Sequence, residues 1–140
     1  MIDYYKCQYH FNASHSFDGN KEQAHSHTFT MILYIRNHSG RDMDFKRLDR
    51  MIEIFLGRYE GMYLNELPCF AGNASIEAIG DYFYEQLKIK LSELNAGLHR
   101  LGCIRCVIAF CYRRLMRNGA EKIWRQSCSI RNRCLTRKNR

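Results

Sequence analysis

Between Tyr5 and His15 the chain alternates. Tyr5, Cys7, Tyr9, Phe11, Ala13 and His15 occupy one register, and Tyr4, Lys6, Gln8, His10, Asn12 and Ser14 the other. A period of two predicts a half-buried strand whose core register ends on His15. Asp18-Gly19-Asn20 supplies turn residues, and a loop through Ala24 leads into a β-branched and aromatic run from about His25 to Asn37, a second strand. Asn37 to Asp42 reads as the next turn. From Phe45 the period lengthens: Phe45, Leu48, Met51, Ile52, Phe55 and Tyr59 recur with helical spacing, and Asp44 stands as their N-cap. Residues 60–74 form a connection that holds Gly61, Gly72 and the only proline, Pro68. A second helix is expected from Asn73 or Ser75 to about Leu94, burying Ile76, Ile79, Phe83, Leu87 and Leu91, with Glu77 favourable in its first turn. After Asn95-Ala96-Gly97, Cys103 to Tyr112 reads as a buried strand and Lys122 to Ile130 as a weaker one. The order ββααββ predicts an α+β domain over residues 1–140: a four-stranded antiparallel sheet with both helices packed on one face. Such a sheet has edges to satisfy, which predicts oligomerisation by strand pairing.

Composition narrows the class. No stretch approaches the roughly 20 apolar residues of a membrane helix, and the first residues lack the basic start and apolar middle of a signal peptide, so a soluble cytoplasmic protein is expected. Seven cysteines are an odd number in a chain with an apolar core available, so reduced thiols are expected. The net charge of +8 conceals two regions. Residues 1–98 hold 10 Lys and Arg against 13 Asp and Glu, whereas residues 99–140 hold 12 basic residues against Glu121 alone. That last third also carries five cysteines and ten arginines. It can be read as a nucleic-acid tail, with Tyr112 and Trp124 stacking on bases, but its arginines are scattered through the expected strand pair, which makes a nucleic-acid partner a minor alternative. A change of reading frame or of evolutionary constraint is another reading. Cys103-x-x-Cys106 lacks a well-spaced second pair and is read as ordinary thiols.

The chemistry gathers at the first loop, where His15, His25 and His27 fall within thirteen residues. Residues i and i+2 of a strand share a face, so His25 and His27 can approach one point, and the loop can fold His15 back over them. Three neutral nitrogens with a fourth position open match catalytic rather than structural zinc. Zinc so held would act as a Lewis acid that makes a carbon-bound proton beside a hydroxyl or carbonyl removable.

Phe11-Asn-Ala-Ser-His15, His25-Ser-His27-Thr-Phe29, Met43-Asp44-Phe45, Tyr63-Leu64-Asn65 and Asn73-Ala-Ser75-Ile-Glu77, in this order and spacing over about residues 5–95, resemble the motifs of the 6-pyruvoyl-tetrahydropterin synthase and 6-carboxytetrahydropterin synthase family. The resemblance implies the tunnelling fold, in which such units close into a barrel as a trimer or dimer of trimers. It also implies Zn2+ on His15, His25 and His27, a 7,8-dihydroneopterin triphosphate substrate bound between subunits, and lyase chemistry of biopterin or queuosine biosynthesis. Ser75 and Glu77 then stand as substrate-binding residues. Three departures bear on turnover. Lys21 occupies the place of the family's catalytic cysteine, and Glu60-Gly61 replaces the Asp-His pair that relays its protons. Ile104 to Tyr112 holds no acidic residue where the family anchors the pterin. A lysine is a base only when burial lowers its pKa, and Lys21 lies in a polar loop. His10 is on the opposite strand face from His15. Glu60 is left as the candidate catalytic base. Two readings follow: a zinc-dependent pterin synthase or lyase, or a catalytically impaired zinc-binding homologue that binds a pterin or purine-like ligand.

Overall fold

The computed structural model describes residues 4–70, 72–105, 108–117, 120–127 and 138–139, with side chains as far as Cys103. The alternating segment is strand β1 (Tyr4–His15), and the branched run is β2 (His25–Asn37), paired with it antiparallel. Helix α1 (Phe45–Gly57) opens on Asp44, whose carboxylate accepts from the Arg47 amide at 3.1 Å. Helix α2 (Ile76–Ser92) opens on Ser75, whose hydroxyl accepts from the Ala78 amide at 3.2 Å. Each cap satisfies a donor left over at a helix start.

The chain after α2 departs from expectation. Strand β3 (Ala96–Arg105) begins directly beyond Asn95, which takes a left-handed φ of 52°. The stretch read as one strand from Cys103 to Tyr112 is divided between β3 and β4 (Ile108–Arg117), and β5 (Ala120–Ser127) follows. The two-residue β6 (Lys138–Asn139) pairs with Tyr4 and Tyr5. Among the described residues the sheet is therefore six-stranded, ordered β5-β4-β3-β2-β1-β6, with more strands than ββααββ provides. A bulge explains why β3 escaped the pattern. Tyr34 pairs with Arg100 and Ile35 with Leu98, so His99 is an extra residue, and the buried register moves from Ala96 and Leu98 to Leu101 and Cys103.

The odd-numbered residues of β1 and β2 face the helices. Phe11, Phe29, Met31, Leu33 and Ile35 form one buried cluster with Leu48, Ile52 and Phe55 of α1 and Ile79, Phe83 and Leu87 of α2. Phe83 sits at its centre, its ring 5.5 Å from Phe11, 5.1 Å from Phe55 and 4.8 Å from Tyr59. Tyr9 donates to Asp49 at 2.7 Å and ties β1 to α1. The opposite sheet face is polar: Gln8, His10, Asn12 and Thr28 are exposed there. No described helix is long and apolar enough to cross a membrane.

Candidate metal centre

The β1–β2 register brings the histidines together. His15 pairs directly with His25, and Ala13 with His27, so all three imidazoles lie at one end of the helix-facing side of the sheet. Ring centroids are 5.0 Å apart for His15 and His25, 5.3 Å for His15 and His27, and 4.7 Å for His25 and His27. The rings meet edge to face, and one nitrogen from each lies within 4.8 Å of the others. Tetrahedral zinc with bonds of about 2.0–2.1 Å would bring its nitrogens to about 3.3 Å, an adjustment within side-chain rotation.

Hydrogen bonds select which nitrogens face the ligand. His15 is buried, and its Nδ1 lies 2.6 Å from the Ala74 carbonyl oxygen. A carbonyl only accepts, so Nδ1 carries the proton and Nε2 keeps its lone pair. His25 Nδ1 likewise lies 3.1 Å from the Gln23 carbonyl oxygen. Such outer contacts fix tautomer and ring orientation in metal-binding histidines. The donor set fits a divalent zinc ion.

The segment 63–75 holds His15 in place. Asn65, itself buried, accepts from the Ser16 amide at 2.9 Å, and its Nδ2 donates to the Ser16 carbonyl at 3.1 Å and the Gly72 carbonyl at 2.8 Å. One side chain thus satisfies both backbone groups of the residue after the ligand. Tyr63 shares a 2.6 Å hydroxyl contact with Ser16 and donates to the Gly19 carbonyl at 3.2 Å. Gly19 has φ of 79°, where a side chain would be strained. Asn20 then caps the short turn Lys21–Gln23 by accepting from the Glu22 amide at 3.0 Å. Tyr63, Asn65 and Ala74 stand in the sequence within motifs but without an assigned role; Ser16 carries no signal of its own.

Among the described residues neither Glu60 nor Glu77 joins this group of three nitrogens. Lys21 is exposed and forms an ion pair with Glu66 at 2.7 Å, which raises its pKa and keeps it protonated. Glu60 is exposed; its two oxygens accept from the amide and the side-chain nitrogen of Asn12, each at 2.9 Å. Those bonds hold its carboxyl below the ordinary carboxylate value. Asn12 is on the face of β1 opposite His15, so Glu60 braces the outer face. The strip beside it pairs with β1 as well, the Gly61 amide donating to Asn12 and the Ser14 amide to Met62. Ser75 caps α2, and Glu77 stands half-buried in the helix's first turn. Cys106 lies outside the described residues, as do the side chains of Tyr112 and Trp124.

The structure thus joins an α+β fold to three histidines at the end of its sheet that could hold a metal ion. The family model described as 6-pyruvoyl tetrahydropterin synthase matches residues 4–111, and the chain belongs to that family. No curated protein matches the chain.

Proposed function

We propose that this chain binds Zn2+ through His15, His25 and His27 and, with it, 7,8-dihydroneopterin triphosphate, within the synthase and lyase chemistry of its family. The convergence of three imidazoles, with the two outer contacts that free Nε2 of His15 and His25, carries this reading. Zinc there supplies Lewis acidity toward a side-chain hydroxyl or carbonyl of the pterin. The chain's own part is orientation. Asn65 and Tyr63 hold His15, the Ser75 hydroxyl keeps a proton to donate while its oxygen caps α2, and Glu77 offers a carboxylate to the amino groups of the pterin. A barrel of several copies is supported by the polar outer face and by a sheet that ends in β5 on one side and the two-residue β6 on the other.

A second reading, the impaired homologue, is favoured by the state of the two residues at the proton-transfer positions. Lys21 is held protonated by Glu66, and Glu60 is a weakened base engaged by Asn12. Both readings share the metal and differ in turnover, and the impaired homologue takes a pterin or purine-like ligand. Zinc-loaded protein incubated with dihydroneopterin triphosphate tests them together: ligand binding by fluorescence checks the pterin, and triphosphate release checks turnover. Release above a His27→Ala control establishes the synthase or lyase. Binding without release establishes the impaired homologue. Neither binding nor release overturns the synthase or lyase and leaves the impaired homologue only a purine-like ligand.

A further inference from the structure

Helix α1 carries two stripes. Leu48, Ile52, Phe55 and Leu56 are buried against the sheet and α2. Arg47, Met51, Ile54 and Arg58, spaced i, i+4, i+7 and i+11, form a separate stripe that borders a groove of about 250 Å³. Met51, Ile54 and Phe55 make its floor, and Ile54 is 58% exposed. Its rim holds Arg50 and, from α2, Lys90, in addition to the two arginines of the stripe.

Among the described residues none of these four cations takes part in an ion pair. Asp49 of the same helix is turned to Tyr9, and Glu53 is the exposed acid beside the stripe, so the rim keeps a cationic excess. The excess is local: residues 1–98 as a whole have three more acidic than basic residues. The groove has room for about one large side chain above an apolar floor, and three arginines border it, residues whose guanidinium groups match carboxylates in a bidentate way. Nucleic acid would call for an extended track of cations and aromatic surface, which one pit on two helices does not offer.

We infer that this groove docks an acidic amphipathic segment of a partner protein, which inserts one aliphatic or aromatic anchor over Ile54 and sets flanking carboxylates on Arg47, Arg50, Arg58 and Lys90. Helix-in-groove recognition works in this manner, the apolar anchor giving affinity and the charges orientation and rate of encounter. The site is separate from the histidine centre and does not depend on it.

Fluorescence anisotropy with the full chain tests the assignment. The probe is a labelled helical peptide with Leu at i, i+3, i+4 and i+7 and Glu at the flanking positions. Its controls are the same peptide with Lys for Glu and a single-stranded oligouridylate of similar length. The acidic peptide should bind, weaken with salt, and lose about tenfold or more in the Arg50→Glu/Arg58→Glu protein, a loss that corresponds to about 1.4 kcal/mol. Ile54→Ser should weaken it without altering the salt dependence, and His27→Ala should bind it as the parent chain does. Circular dichroism of each variant separates lost binding from lost fold. Absence of binding by the acidic peptide, unchanged binding by the charge-reversed protein, or tighter binding of the oligouridylate that is lost in the same variant would each overturn the proposal. So would a change of sedimentation coefficient in Arg50→Glu/Arg58→Glu, which would show a second copy of the chain covering the groove.

Discussion

Replacing Asn65 with alanine strikes the support of the three-histidine cluster without touching an imidazole. The side chain makes three hydrogen bonds, from the Ser16 amide and to the Ser16 and Gly72 carbonyls, at 2.9, 3.1 and 2.8 Å, in a buried position. A net value of about 0.5–1.5 kcal/mol for each bond gives a loss of about 1.5–4.5 kcal/mol, with the upper end set by how poorly water can reach the abandoned groups. Because Ser16 follows His15 directly, His15 loses part of its orientation as well, and zinc affinity should fall, by less than the roughly 10–100-fold that a partner bonded to the ligating ring itself is worth. Asn65→Asp separates the two causes. Its oxygen still accepts from the Ser16 amide, but its second oxygen faces two carbonyl oxygens, so it should destabilise as much as alanine despite its matching shape. Urea denaturation of the metal-free chains measures the first quantity, and zinc competition against a chromogenic chelator the second. If Asn65→Ala stays within about 0.5 kcal/mol of the parent and binds zinc equally well, the clamp has no part in the site.

Three further outcomes follow from the same geometry. Alanine at His15, His25 or His27 should reduce zinc affinity by more than the roughly 100-fold upper range of a lost supporting contact, as read by the same chelator competition, while leaving the far-ultraviolet spectrum in place. Glu60, with its carboxyl held low by Asn12, contributes stability at pH values above the ordinary carboxylate value of 4.5 and loses it as pH falls through its lowered folded value; Glu60→Gln should therefore flatten the acid limb of stability, followed by urea melts at neutral and acidic pH. Phe83→Ala, which empties the centre of the aromatic cluster, should cost about 3–5 kcal/mol in equilibrium unfolding.

What could be read without coordinates was whatever repeats locally. The alternation of Tyr5 to His15 and the 3.6-residue spacing of Phe45 to Tyr59 predicted β1 and α1 because burial on one face forces those periods, and the pair His25 and His27 carried its own geometry for the same reason. Strand β3 was missed where a single bulged residue, His99, switches the buried register from even to odd positions, so that neither half is long enough to show its period. The clamp on His15 was missed for a different reason. Asn65 and Ser16 are 49 positions apart, and a hydrogen bond from a side chain to a distant backbone group leaves no pattern in the sequence. Ala74 is an extreme case, since it serves through a carbonyl that any residue possesses.

The same contacts explain how the three-histidine cluster can form in a chain without the expected nucleophile. The geometry of the histidine cluster rests on β1–β2 pairing, on Asn65 and Tyr63, and on the Ala74 carbonyl, and of these Lys21 meets only the Tyr63 ring. Its ammonium instead closes the loop from outside, on Glu66 at 2.7 Å and over the Tyr63 ring at 5.7 Å. An exposed pair of this kind adds little to stability. Lys21→Cys should therefore leave zinc affinity and the unfolding midpoint close to those of the parent, and it should not by itself restore triphosphate release, because Glu60 remains bound to Asn12 and Gly61 provides no imidazole. Chelator competition and phosphate detection read both results. If the parent chain proves inactive, a Lys21→Cys protein that turned over dihydroneopterin triphosphate would show that other residues supply the proton-transfer groups and that Lys21 alone withholds turnover.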